Sequence, residues 1–273
     1  MNQINLYFTI LLLSLNLTGK PVNSGNHYSQ IVTFLKTTES PSNNNSEFVN
    51  DGSPDDKIGI ATRWNFDQDG RPEPGHRKGG ASRGNCPPIQ PALTALIPKN
   101  NLGLTTQEYP TFWFYIPYNY TDIPIAELML LDENQDLMLE KPIMLQLSAT
   151  PGIIGVTLPS TAKPLEFEQK YRWYFELECD AENPSKNPRV DGWIKRVQPS
   201  SELITQLNSN PTEQSYLIYA ENGIWYDALT DLIQLIQVNP SDPTITNDWS
   251  DLLKAVELQE LVETPITDCC SPE

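Results

Sequence analysis

Residues 170–178 constrain this chain more than any other stretch. Tyr171, Trp173, Phe175 and Leu177 alternate there with Arg172, Tyr174, Glu176 and Glu178. A period of two is the repeat of an extended strand, whose successive side chains point to opposite faces, so the segment predicts a β-strand with one buried and one wetted face. As a helix, the same residues would scatter their apolar groups around the whole circumference. Thr111–Ile116, Ile125–Leu131, Leu137–Glu140, Ile143–Leu147, Ile153–Leu158 and Arg189–Val197 read as further short strands separated by turn residues. Short strands with turns between them predict packed antiparallel sheets and not βαβ units, so residues 86–198 are read as a β-sandwich.

From Pro199 the period becomes helical. Ser200 can cap a short helix running through Asn208, and Asn210, Pro211 and Glu213 form a second start signal that leads to a stop at Gly223. Trp225, Leu229, Leu232, Ile233 and Ile236 lie at offsets of 4, 7, 8 and 11, one apolar helical stripe that Pro240 ends. A last helix begins at Asn247 and buries Trp249, Leu252, Leu253 and Val256. The predicted fold class is therefore α+β, an all-β sandwich followed by a helical C-terminal segment, residues 199–273, packed on it.

Two local patterns resemble known architectures. Leu165 stands six residues before Tyr171, with Pro164 just ahead, which resembles the tyrosine corner of fibronectin type III and immunoglobulin-like sandwiches and implies a tyrosine hydroxyl bonded back to the preceding chain. Tyr219, Gly223, Ala228, Leu232 and Pro240 resemble one tetratricopeptide-type hairpin, although Thr212 stands where that family has Trp, and Tyr216 and Leu235 stand where it has small residues. A single unit of this type cannot stack into a solenoid.

The first 85 residues differ from the rest. Ile4–Leu17 is a largely apolar segment of 14 residues, too short to span a bilayer and of the length of a signal-peptide core, so residues 1–24 are read as a signal peptide. Residues 25–85 are rich in Asn, Ser, Gly, Pro and Asp and are read as a disordered or loosely ordered linker. Its basic residues Arg71, Arg77, Lys78 and Arg83 read as solvated charge. Asp67, Asp69 and Gly70 begin like a calcium loop, but Lys78 stands where that loop needs a bidentate Glu. Export to the periplasm or beyond gives Cys86, Cys179, Cys269 and Cys270 an oxidising compartment, where they are disulfide candidates with three complete pairings open. A Cys179 bond to the tail would clamp the last helix to the sheets.

Charge and histidine content exclude several functions. The chain carries 35 Asp and Glu against 18 Lys and Arg, a net −17, opposite in sign to a nucleic-acid-binding face. Its only histidines, His27 and His76, lie in the linker, which disfavours a Ser-His-Asp triad or a His-ligated zinc site. Glycine-rich nucleotide loops, nucleophile elbows and zinc-protease motifs do not occur. Glu176 and Glu178 could pair as catalytic carboxylates, but they share a wet strand face where solvated carboxylates are expected. No cofactor and no metal are expected.

Two binding surfaces remain as expectations. Residues 201–273 carry 13 acidic residues against one lysine, so Asp227, Asp231, Asp248 and Asp251 form a candidate acidic surface for a protein partner in the cell envelope. Trp113, Tyr115, Tyr118 and Tyr120 form a candidate aromatic platform for sugar rings, which would make the sandwich a glycan-binding module.

The order of several motifs resembles one family. The runs Arg83–Pro87, Leu93–Pro98, Pro110–Pro117, Tyr171–Cys179 and Gly223–Leu229, with the Trp-Ser-Asp-Leu-Leu run at Trp249, resemble a cyanobacterial exported family, domain of unknown function 928, over about residues 80–270. The resemblance implies export and a strand-then-helix layout. It carries no activity and no catalytic residue. The expectation is an exported, non-enzymatic interaction module with no membrane span once its signal peptide is removed.

Overall fold

The computed structural model describes residues 63–64, 66, 71–80, 86–210, 214–267 and 270–272, all within the unit formed by residues 51–273. The proposed signal peptide, most of the proposed linker and Cys269 lie outside the described residues.

The alternation over residues 170–178 produces a strand. Here β7 (Lys170–Leu177) buries Tyr171, Trp173, Phe175 and Leu177 and leaves the residues between them partly exposed. Before it come β1 (Thr94–Ala95), β2 (Leu102–Thr105), β3 (Thr111–Ile116), β4 (Ile125–Leu131), β5 (Ile143–Gln146) and β6 (Gly152–Thr157); β8 (Arg189–Arg196) and β9 (Ser271–Pro272) follow. The strands form a three-stranded sheet ordered β1-β3-β6 and a six-stranded sheet ordered β2-β8-β7-β4-β5-β9. The predicted strand over Leu137–Glu140 does not form. Leu137 makes a single bridge to Leu131, because the turn from Asp132 to Asp136 leaves too little chain for a ladder. Three elements escape sequence reading, β1, β2 and β9, and β2 pairs with β8 in parallel.

Aromatic rings join the sheets. Phe114 of β3 stacks on Phe175 of β7 with ring centroids 3.9 Å apart and planes 10° from parallel, and Phe112 and Phe114 both meet Trp173 edge-on. Offset stacks and edge contacts of this kind add about 0.5–1.5 kcal/mol each beyond the area they bury. At the mouth of β7 the Tyr171 hydroxyl accepts the Glu166 N–H at 2.9 Å, beside the buried Leu165. The back-bond expected from the Leu165–Tyr171 spacing is thus present.

Four α-helices follow, α1 (Ser201–Ser209), α2 (Ser215–Glu221), α3 (Trp225–Val238) and α4 (Pro243–Ala255), so the chain is mixed α+β. Ser200 caps α1 by accepting the Leu203 N–H. Of the start signal placed at Asn210, Pro211 and Glu213 lie outside the described residues; α2 begins at Ser215 without a side-chain cap, and the Asn210 amide donates to the Gln206 carbonyl at 2.7 Å. Gly223, at φ +71°, lets the chain reverse after α2. α4 starts four residues earlier than predicted, because Asp242 caps it through the Thr244 and Ile245 N–H groups and Pro243 fits the first turn.

Both sheets and helices α2, α3 and α4 share the main hydrophobic core, while Leu203 of α1 packs with Leu104, Ile218 and Ile224 in a second, smaller cluster. Trp225 of α3 is fully buried and donates its indole N–H to the Leu96 carbonyl at 2.9 Å. The Trp173 indole donates at 2.9 Å to the hydroxyl of Tyr226, and burial raises that hydroxyl's pKa well above the ordinary range. Core packing also corrects the linker reading where that stretch is described. Trp64 and Phe66 are buried, with Phe66 edge-on to Trp225 at 4.8 Å. Residues 71–80 are bound along the body: Arg77 donates to the Val256 carbonyl at 2.6 Å, Gly79 N–H to Leu93 at 2.7 Å, and His76 N–H to Asp191 at 3.0 Å.

Candidate functional site

The four aspartates proposed as one surface do not form one. Asp227, in the first turn of α3, is 4% exposed and faces inward. It accepts the Thr105 hydroxyl at 2.6 Å, the Thr106 N–H at 3.2 Å, the Gln107 amide at 3.3 Å, and the Thr106 hydroxyl. These donors staple α3 to the end of β2. Burial nevertheless pushes the carboxyl above the usual carboxylate range, with the threonine and glutamine bonds opposing. Asp248 is also 4% exposed, held at 3.1 Å by Arg63 and at 2.5 Å by the Tyr216 hydroxyl, whose own pKa burial and Asp248 raise. Asp231 is half-buried and accepts the Ser215 hydroxyl at 2.5 Å; its pKa is raised by burial. Asp251 is half-buried and pairs with Lys254 at 3.4 Å. The helical stripe decides this: Asp227 and Asp248 fall on the core-facing sides of α3 and α4, and their charges are used internally.

The aromatic platform is not assembled either. Trp113, Tyr115 and Tyr118 are 8%, 8% and 6% exposed, and Tyr120 alone stands out at 42%. Tyr118 donates to the Pro87 carbonyl at 3.1 Å, and burial raises the pKa of both Tyr115 and Tyr118. Elements that cover the small sheet close over these rings, which no local pattern reveals. Among the cysteines, Cys86 and Cys179 form a disulfide with Cα atoms 5.6 Å apart. The alternative in which Cys179 reaches the C-terminal tail is thereby excluded. Cys270 is disulfide-bonded as well. Among the described residues no group of three or more His, Cys, Asp or Glu side chains could hold a metal ion, and no helix is long and apolar enough to cross a membrane.

What the tertiary structure does assemble is the outer face of the six-stranded sheet. Strand register sets nine side chains in three rows: Glu127, Glu176 and Arg189; Met129, Tyr174 and Asp191; Leu131, Arg172 and Trp193. Tyr174 is flanked by two guanidinium groups, Arg172 at 4.8 Å and Arg189 at 5.4 Å from the ring centroid, and Arg172 also lies 5.6 Å from the Trp193 ring. Cation–π contacts at partly exposed sites are worth about 0.5–1 kcal/mol each and fix the side chains as a rigid array. Asp191, buried at the array's edge, anchors Arg172 at 2.7 Å. Glu127 stands directly opposite Glu176, and burial, then the Glu176 and Glu178 charges, raise its pKa. The β7 half of this face was legible from its alternation. The β8 half was not, because buried Gly192 interrupts its pattern, and its missing side chain makes room for the Trp173 ring.

Two adjoining cavities lie on the other side of the molecule, between the three-stranded sheet and α3. One, of about 490 Å³, is lined by Thr111, Trp113, Thr157, Thr230 and Gln234 among others. The second, of about 280 Å³, shares Thr111, Thr230 and Gln234 and runs on to Tyr109, Asp227 and Asp231. A third cavity, about 620 Å³, sits at the end of β5 between Leu139, Met144 and Pro159.

No curated protein and no solved structure matches this chain. The family described as Domain of Unknown Function (DUF928) matches residues 78–266, which take in both sheets but for β9, all four helices and the nine-residue array. The chain belongs to that family.

Proposed function

We propose that this chain is an exported, non-enzymatic module that binds another protein of the cell envelope through the outer face of its six-stranded sheet. One observation carries the reading: register brings Met129, Leu131, Arg172, Tyr174, Arg189 and Trp193 onto one partly exposed surface. Tyr, Trp, Arg and Met are the side chains enriched at protein interfaces, and a preordered Arg–Tyr–Arg stack loses little entropy on binding. The occupant is a protein surface that offers an apolar side chain to Met129 and Leu131 and a carboxylate to Arg189. Arg189 is exposed and packs on Tyr174, with no ion pair among the described residues.

Further features support parts of this reading. The Cys86–Cys179 disulfide suits an oxidising compartment such as the periplasm or the exterior. The Tyr171 back-bond and the two facing sheets support an immunoglobulin- or fibronectin-like sandwich, and α2 with α3 supports a single tetratricopeptide-like hairpin. The non-enzymatic part rests on Asp227, the most buried carboxylate of the polar cavities, whose oxygens are occupied by threonine and glutamine donors and are not held ready for proton transfer.

The test is site-specific photo-cross-linking from Met129 or Leu131 in the full chain, expressed in the source cells. One discrete adduct is expected, with its yield reduced about tenfold by Tyr174→Ala, the effect of losing a hot-spot side chain. An adduct equally strong from exposed Glu202 on α1, or no adduct from either strand position, refutes the proposal.

A further inference from the structure

We propose that the groove between the three-stranded sheet and α3 binds a neutral oligosaccharide. This site lies on the opposite sheet from the protein-binding array and does not depend on it.

Its floor follows from strand register. β3 and β6 place Thr111 opposite Thr157 and Trp113 opposite Gly155. A Cβ at Gly155 would stand 2.8 Å and 2.9 Å from outer indole carbons of Trp113, so the ring occupies the place a side chain would take and any larger residue there must displace it. The Trp113 N–H donates to Thr230 Oγ1 at 3.0 Å, which ties the floor to α3. Thr230 and Gln234, one helical turn apart, form the opposite wall. The larger cavity, about 490 Å³, lies within the range of about 300–1,000 Å³ typical of small-molecule sites, and the smaller one extends it toward Asp231.

The lining selects the chemistry of the ligand. Among the described residues, hydroxyls, carboxamides, the Trp113 edge and the disulfide-bonded Cys270 stand around the larger cavity, with no ionisable acid or base. Without a cation the groove has nothing to hold a phosphate or a sugar acid, and in a chain of net charge −17 an anion is repelled. So polar a wall also gives a lipid chain no gain. A neutral saccharide satisfies both conditions, because its hydroxyls exchange bonds with the hydroxyls and amides of the lining and it brings no charge to be desolvated.

The donors and acceptors are at hand. The Gln234 carboxamide is exposed and makes no hydrogen bond among the described residues, so it can accept and donate to a vicinal diol. Thr111 and Thr157 bond each other at 2.8 Å, a pair that uses one of its two hydroxyl protons. Thr230 accepts from the indole and keeps its own proton to donate. At the far end Asp231 offers a carboxylate acceptor, the group that most strengthens a bond from a sugar hydroxyl.

The experiment is isothermal titration of the full chain with cellotetraose, maltotetraose and chitotetraose, and with tetragalacturonate as the anionic counterpart. At least one neutral tetraose is expected to bind, and tetragalacturonate more weakly. Gln234→Ala and Thr157→Val, both on exposed positions and checked for an unchanged melting temperature, are each expected to weaken binding about tenfold, the loss of one or two hydrogen bonds. Tyr174→Ala is expected to leave it unchanged, which separates this site from the protein-binding face. The proposal is overturned if none of the neutral tetraoses binds at about 10 mM, if both groove variants bind as the native chain does, or if tetragalacturonate binds tightest.

Discussion

Replacing Asp227 with alanine tests how the helical segment is fastened to the sheets. The carboxylate serves the Thr105 hydroxyl, the Thr106 N–H and hydroxyl, and the Gln107 amide. Thr105 is fully buried, so without Asp227 its hydroxyl proton and the Thr106 N–H have no acceptor. A donor stranded in this way costs about 1–3 kcal/mol. Against the two losses stands a gain, because burial disfavours the charged form of Asp227 and its removal relieves that cost. The net loss for Asp227→Ala is therefore about 2–4 kcal/mol, read as a lower urea midpoint with unchanged slope. Asp227→Asn, which keeps one acceptor oxygen, should lose about 1–2 kcal/mol. The pH dependence has a definite sign. Since the folded-state pKa of Asp227 is raised, the advantage of the native side chain over Asn is fully present below the unfolded value of about 3.9 and is lost as pH rises through the folded-state value. Urea titrations of both proteins from about pH 3.5 to 7 should show the gap narrowing. A gap that widens with pH refutes the burial-raised carboxyl, and an alanine variant within about 0.5 kcal/mol of native refutes the staple.

Other perturbations address the body directly. Replacing Cys86 and Cys179 together by Ala opens a cross-link between residues 93 positions apart and should lower stability by about 4 kcal/mol on the chain-entropy estimate; a loss below about 1 kcal/mol in oxidising buffer contradicts it. Gly103→Ala puts a Cβ 2.4 Å from the ring of Tyr226, which is buried and held by Trp173, so thermal melting should show a loss of about 1–3 kcal/mol, and a neutral outcome means that the ring can move. Tyr171→Phe removes the acceptor of the Glu166 N–H and should cost about 0.5–1.5 kcal/mol in chemical unfolding; no change would mean that water replaces the bond.

The elements legible in advance were those whose determinants are local. β3 and β4 fall on the predicted residues, β7 and β8 within one residue, and α3 buries Trp225, Leu229, Leu232 and Ile233 as their spacing requires. β1 and β9 were invisible because two residues carry no period, and β2 because it forms only by pairing in parallel with β8 across the chain. Neither candidate surface survived intact, and for one reason. Acidity and aromaticity are counted along the chain, whereas exposure depends on what packs over each side chain, here the β2 end over Asp227 and the Thr230 side of α3 over Trp113.

By itself, then, the sequence determined the β-then-α order, the strand with its aromatic inner face, the helical stripe and the absence of the familiar catalytic motifs, since each is a matter of spacing over a few residues. Only the tertiary structure decided that Cys86 pairs with Cys179, that Arg189 meets Tyr174 beside Arg172, and that threonines from β3 and β6 share a groove with Gln234. Those contacts join residues many positions apart, and their geometry is fixed by sheet register and core packing, which no short window of sequence contains.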